Sequence, residues 1–204
     1  MRVIGLTGGI GMGKSTAAAV FRRAHIPVFD ADATVHVLQA RGGRAVPAIA
    51  AAFPGTVKDG AVDRDALRPI VFADPAALRR LEAILHPMVR AEQARFLARA
   101  RRAGRPLAVL DIPLLLERGL DRAVDLVVVV SAPRTVQIAR VRRRRRMSEA
   151  EIAAILRRQM DDRERRRRAD VVIHTGLNRA HALGCLRRLI ANARTIMPRR
   201  RIKS

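Results

Sequence analysis

Aromatic side chains are nearly missing from this chain: five Phe, no Tyr and no Trp in 204 residues. Little is left on which single-stranded bases could stack, which weighs against a base-stacking nucleic-acid surface. Cysteine is scarcer still. The single Cys185 cannot form an intramolecular disulfide, and with no apolar signal segment at the N-terminus the expected compartment is the reducing cytoplasm. No apolar run approaches the ~20 residues of a membrane span, so no membrane partner is expected. Acidic residues are also few, 18 against 41 Lys and Arg, for a formal charge of +23. That charge favours non-specific polyanion binding. The basic residues are almost all arginine, however, and stand among many alanines, which looks like a bias of overall composition. No specific nucleic-acid partner is inferred from it.

What the chain does have is concentrated at its start, in residues 2–16, RVIGLTGGIGMGKST. A short apolar run leads to Gly8, four residues, then Gly13, Lys14 and Ser15, the spacing G-x-x-x-x-G-K-[ST] of a phosphate-binding loop. Gly8, Gly9, Gly11 and Gly13 let the backbone turn tightly and bring N–H groups up to an anion. The residues that follow read as a helix whose positive end points at the same phosphates. Lys14 is a flexible charge suited to the β and γ phosphates, and the Ser15 hydroxyl is suited to Mg²⁺.

Residues 26–30 (IPVFD) read as a second buried strand ending in Asp30-Ala31-Asp32. Carboxylates just past a strand end stand where open α/β sheets bind ligands, so one of the pair could accept a proton or hold a metal through water. Equally, Asp30 or Asp32 could cap the helix over 33–40. Residues 45–103 are mostly helical, with a turn at Asp59-Gly60, caps at Asp63 and Asp74, and a helix break expected near His86 because Pro87 follows. Gly104 closes this block. A block of this size exceeds what a crossover needs, which suggests a second-substrate site.

A third strand, residues 106–111 (PLAVLD), ends in Asp111, the form of an element that holds Mg²⁺ directly or through water. Glu117 follows an apolar run and reads more readily as a surface carboxylate than as a catalytic group. Residues 126–130 (LVVVV) form a fourth strand, apolar throughout as a strand covered on both faces is, and 169–173 (ADVVI) a fifth. Between these two lie 14 arginines and five acids, over residues 134–168. Pro133 opens one helix there, and a capping box at Ser148 and Glu151 opens another, joined near Met147. Such a pair suits a lid over a triphosphate, since the arginine fork pairs with phosphate oxygens. Most of the run 142–146 must face solvent, while Arg140 and Arg144 share a helical face with Gln137. Asn178 caps a last helix, and the basic tail from Pro198 is expected to be disordered. His25, His36 and His181 stand singly, without ligand spacing.

Taken together, these residues resemble the dephospho-CoA kinase family. The likeness runs from Val3 to about Gly176: GLTGGIGMGKST at 5–16, DAD at 30–32, DGAVDRDAL at 59–67, LEAILHP at 81–87, LDIPLLLE at 110–117, Gln137 with Arg140 and Arg144, Gln159, and ADVVI at 169–173. It implies an α/β fold of the P-loop NTPase type, three-layered, with a five-stranded parallel sheet, a helical substrate-binding insertion and a short helical lid. The single unit would comprise a nucleotide core (about 1–40, 104–132 and 169–197), a CoA-binding part (about 41–103) and a lid (about 133–168). The implied reaction moves the γ-phosphoryl group of ATP to the ribose 3′-hydroxyl of dephospho-CoA, with Mg²⁺, in a monomer or weak homo-oligomer.

The resemblance makes Asp32 the general base, beside Lys14 and Arg140 as the other catalytic residues, with Asp30 structural. It assigns ATP to Gly8, Gly9, Gly11, Met12, Gly13, Lys14, Ser15, Thr16, Arg140 and Arg144. Substrate falls to Asp32, Arg64, His86 and Leu115, and metal to Ser15 and Asp111. Two positions depart from the family: Met12 stands where a small Ser or Ala is usual, and His174-Thr175 stand where Asp-Asn precedes the glycine. On the residues alone, another small-molecule kinase, such as one acting on a nucleoside monophosphate, or a nucleic-acid-dependent ATPase are the alternatives.

Overall fold

The computed structural model describes residues 1–145, 152, 156, 159–176, 178–193 and 195. The junction near Met147, the Ser148/Glu151 box, the Arg144 side chain and the tail from Pro198 lie outside the described residues. Two compact units form: Met1–Phe29 with Ala100–Ser204, and Asp30–Arg99.

The first unit is built on a sheet of order β2-β5-β1-β6-β7, from β1 (Arg2–Thr7), β2 (Val28–Asp30), β5 (Leu107–Asp111), β6 (Leu126–Ser131) and β7 (Val171–His174). β1 is central and pairs in parallel with β5 and β6, and β6 pairs in parallel with β7. Every residue of β5 and β6 is buried, because helices cover a parallel sheet on both faces and no side of the strand meets water. On one face α1 (Lys14–Arg23) and α8 (Arg179–Asn192) pack Phe21, Val20, Leu186 and Leu189 against Ile4, Leu6, Val109, Val128 and Val130. The register sets Leu6 beside Asp111 and Thr7 beside Val129, so β5 ends at the turn that follows β1 while β6 runs two residues further, to Ser131. α6 (Arg134–Arg145), α7 (Asp162–Arg168) and a short 3-10 turn at Leu120–Ala123 also belong to this unit, and α7 contacts β6.

The second unit holds α2 (Ala31–Gln39), α3 (Val46–Ala52), α4 (Arg64–Ala73) and most of α5 (Pro75–Arg102) around Leu38, Ile49, Phe53, Leu67, Leu81 and Leu85. Asp59 and Gly60, at φ 51° and 75°, make the expected turn, and it joins two short strands, β3 (Val57–Lys58) and β4 (Ala61–Val62). Asp63 and Asp74 cap their helices as expected, each accepting two backbone N–H groups.

The break expected at His86 does not occur: α5 runs unbroken through Pro87. Proline in a helix interior costs about 3 kcal/mol. Ala77, Leu81 and Leu85 are buried before it, with Met88 and Val89 packed on the same core after it. At about 1.5–3 kcal/mol for each large apolar side chain buried, that stripe outweighs the lost hydrogen bond. Beyond the helix, Gly104 at φ 63° donates to Arg101 O and closes it. Among the described residues no helix is long and apolar enough to cross a membrane.

Candidate active site

β1 ends at Thr7, and the chain turns through residues 8–13 into α1. At Gly8 the turn passes so close to β6 that a Cβ would overlap the Val130 side chain and stand 2.8 Å from its carbonyl oxygen. Gly13, at φ 94°, precedes the helix in the left-handed region that favours glycine. Lys14 then opens α1, and its Nζ lies 2.6 Å from Asp111 Oδ1 at the end of β5. The Lys14 side chain is 18% exposed and that of Asp111 only 4%. The β1–β5 register produces this pair, by ending β5 next to the start of the loop. Ser15 is exposed and Thr16 half-buried, one and two residues further on.

Three side chains from distant parts of the sequence hold consecutive carbonyls of the loop. Gln137 Nε2 donates to Ile10 O at 2.7 Å. Arg140 Nη1 makes a long 3.5 Å contact with Gly11 O, while its two terminal nitrogens donate to Thr175 Oγ1 (3.1 Å) and Thr175 O (2.7 Å). Thr175 Oγ1 in turn donates to Met12 O at 2.7 Å. On the other side of Ile10, Gln159 Oε1 accepts the Ile10 N–H at 3.1 Å. Arg140, read as a lid arginine, is thus seated on the loop itself. Thr175, noted only as a departure, ties the loop to Arg140. We expect Thr175→Val, equal in shape but without the donor, to weaken ATP binding about threefold to tenfold, and Thr175→Ser to restore it, by calorimetric titration. Equal affinity in the valine variant would remove Thr175 from the site.

Met12, the other departure, is 3% exposed and packs in the main core. Its side chain also lines a cavity of about 430 Å³ together with Ser131, Gln137, Asp162, Arg165 and His174.

Glu117 is not the surface carboxylate its position suggested. After β5 the chain passes Leu114 in the left-handed region, φ 57°, which turns Leu115 and Leu116 inward and brings Glu117 to Arg165. Glu117 Oε1 accepts from Arg165 Nη2 at 3.1 Å and from Met160 N at 3.2 Å. Arg165, only 3% exposed at its side chain, also donates to Met160 O. No local pattern marks this pair, because 48 residues separate its members. Glu117→Ala removes the nearer of two carboxylates from a buried guanidinium, with Asp162 Oδ1 left 3.8 Å from Nη1, and we expect a loss of up to about 3 kcal/mol in urea unfolding. A loss near zero would return Glu117 to the surface reading. Leu115 is fully buried, and a Cβ on Gly5 would lie 2.7 Å from its Cδ2, so its side chain packs within the core.

In the second unit, Asp30 Oδ1 accepts from Ala33 N at 3.0 Å and caps α2. Asp32 lies exposed in the first turn of that helix. Arg64, the first residue of α4, has Nη1 3.4 Å from His36 Nε2. His86 lies mid-way along α5, 4.0 Å from Glu82 Oε1.

A family model described as dephospho-CoA kinase matches residues 2–180. The chain belongs to the dephospho-CoA kinase family. It is 55% identical over 187 residues to a dephospho-CoA kinase of Gluconobacter oxydans, covering 90% of this chain and 93% of that one. A Thermus thermophilus protein of solved structure is 36% identical, with a TM-score of 0.84 over 95% of this chain and 98% of its own. A dephospho-CoA kinase from Campylobacter jejuni, 23% identical, shares the fold with a TM-score of 0.71, over 95% and 98% of the two chains. As a member of this kinase family, the chain is an enzyme that transfers a phosphoryl group to a hydroxyl and takes a nucleotide as co-substrate.

Proposed function

We propose that this chain transfers the γ-phosphoryl group of ATP to the ribose 3′-hydroxyl of dephospho-CoA, and that the loop at residues 8–16 is where the ATP phosphates bind. The observation that carries the reading is the Lys14–Asp111 pair at the mouth of a glycine loop, in a chain of the dephospho-CoA kinase family. Asp111 keeps the ammonium at the loop, and binding of phosphate and Mg²⁺ would exchange that ion pair for Lys14–phosphate and Asp111–metal contacts.

The loop N–H groups and Lys14 would neutralise charge on the β and γ phosphates, and Arg140 adds its guanidinium at the loop rim, with Arg144 as a further phosphate ligand. Asp32 would accept the proton of the attacking hydroxyl, while Arg64 and His86 would serve the dephospho-CoA side, where an arginine suits phosphate. Mg²⁺ fits the oxygen-only donor set of the Ser15 hydroxyl and the Asp111 carboxylate, since this ion takes one or two protein oxygens and completes its shell with phosphates and water. When bound it would supply further neutralisation of the β–γ bridge.

ATP consumption should be tested with dephospho-CoA, AMP, CMP and single-stranded DNA as separate additions. The reading expects dephospho-CoA alone to drive ADP formation. Transfer to a nucleoside monophosphate, or ATP loss that DNA accelerates, would overturn the substrate assignment.

A further inference from the structure

Ile10, at the tip of the loop, has both of its backbone polar groups held by glutamine side chains from the far half of the chain. Its carbonyl accepts from Gln137 Nε2 on α6, and its N–H donates to Gln159 Oε1. The geometry has a direct effect on the loop. A trans peptide carries its C=O and the next N–H on opposite sides. Turning Ile10 O outward toward Gln137 therefore turns the Gly11 N–H the other way, and Met12 O bound to Thr175 does the same for the Gly13 N–H. The Met12 N–H, between them, closes the turn on Gly9 O at 3.2 Å.

Gly9 lies under the clasp. A Cβ at that position would stand 3.0 Å from Gln159 Oε1 and 3.2 Å from Gln137 Nε2, tighter than a side chain usually tolerates. Gln137 is itself 4% exposed. Gln159 is set by the next residue, whose N–H is bound by Glu117 and whose carbonyl is bound by Arg165. The buried Glu117–Arg165 pair thus holds Met160, Met160 fixes Gln159, and Gln159 fixes one side of the loop tip.

We propose that Gln137 and Gln159 are positioning residues that hold the two peptides flanking Ile10 so that the Gly11 N–H faces the phosphates of ATP, as Thr175 on Met12 O does for the Gly13 N–H. The two act with opposite polarity: Gln137 as donor to a carbonyl, Gln159 as acceptor from an N–H. This inference rests on the loop being the ATP site, as proposed above.

Opposite polarity makes the test selective. In the full-length chain, Gln137→Ala and Gln159→Ala are each expected to raise the Kd for Mg-ATP about tenfold, with the Kd for dephospho-CoA unchanged. Glutamate still accepts but does not donate when ionised, so Gln159→Glu should restore the Kd to within about threefold of wild type while Gln137→Glu does not. A purely structural role would lower thermal stability in all four variants with no such split. The proposal is overturned if both alanine variants bind Mg-ATP like wild type, or if the two glutamate variants behave alike. Should Gln137→Ala fail to fold, the Gln159→Ala and Gln159→Glu pair carries the same test. A wild-type chain that binds no Mg-ATP at all would overturn the reading of the loop, and this inference with it.

Discussion

Asp32→Asn is expected to lower kcat by about 10²–10⁴-fold while leaving Mg-ATP affinity and thermal stability near wild type. The size follows from the role: a positioned base contributes that much when a proton leaves in the transition state. The selectivity follows from the structure. Asp30, not Asp32, caps α2 through its contact with Ala33 N, and Asp32 is exposed in the first turn. Losing the Asp32 charge therefore breaks no cap. Asp30→Ala is the converse change, expected to cost about 1 kcal/mol of stability, as the loss of an N-cap does. Single-turnover kinetics and urea unfolding on both variants separate the roles. Turnover near wild type in Asp32→Asn would assign the base elsewhere.

Lys14→Ala is the second large effect, and it acts twice. It removes the charge proposed to face the transferring phosphoryl group, for which a loss of about 10²–10³-fold in kcat is expected, with weaker ATP binding besides. It also removes the ammonium from beside a buried carboxylate. Asp111 is 4% exposed and loses the partner 2.6 Å away, so the protein should be destabilised by up to about 3 kcal/mol. Asp111→Asn alone should cost less stability, because it leaves the charge on the better-hydrated partner, 18% exposed. Equal stability of Lys14→Ala and wild type would mean that water reaches Asp111 freely.

Local chemistry made much of this molecule legible. The turn from β1 into α1, the fully buried strands β5 and β6 and the capping aspartates at Asp63 and Asp74 all depend on a few neighbouring residues, and the structure forms them as read, whereas β2 and β7 are shorter or shifted and only partly buried. Asp30 and Asp32 could not be ranked by spacing, since either can cap a following helix; the hydrogen bond to Ala33 N decides it. Pro87 misled because its cost is local whereas its compensation, the buried stripe on α5, lies in the tertiary packing. Glu117, Arg165 and Thr175 escaped for a related reason. Each acquires its role from a partner more than 40 residues away, and no periodicity records such a pairing. Gln137 and Gln159 carried a signal in the family pattern, but the reason for two glutamines emerges only when both meet Ile10.

The most direct test of the account is mass spectrometry of the product formed from Mg-ATP and dephospho-CoA by the wild-type chain, with Lys14→Ala alongside. The account predicts a product heavier by one phosphoryl group, mapped by fragmentation to the 3′-oxygen of the ribose and lost in the variant. Dephospho-CoA returned unchanged by active protein, or phosphorylated at another oxygen, would contradict it.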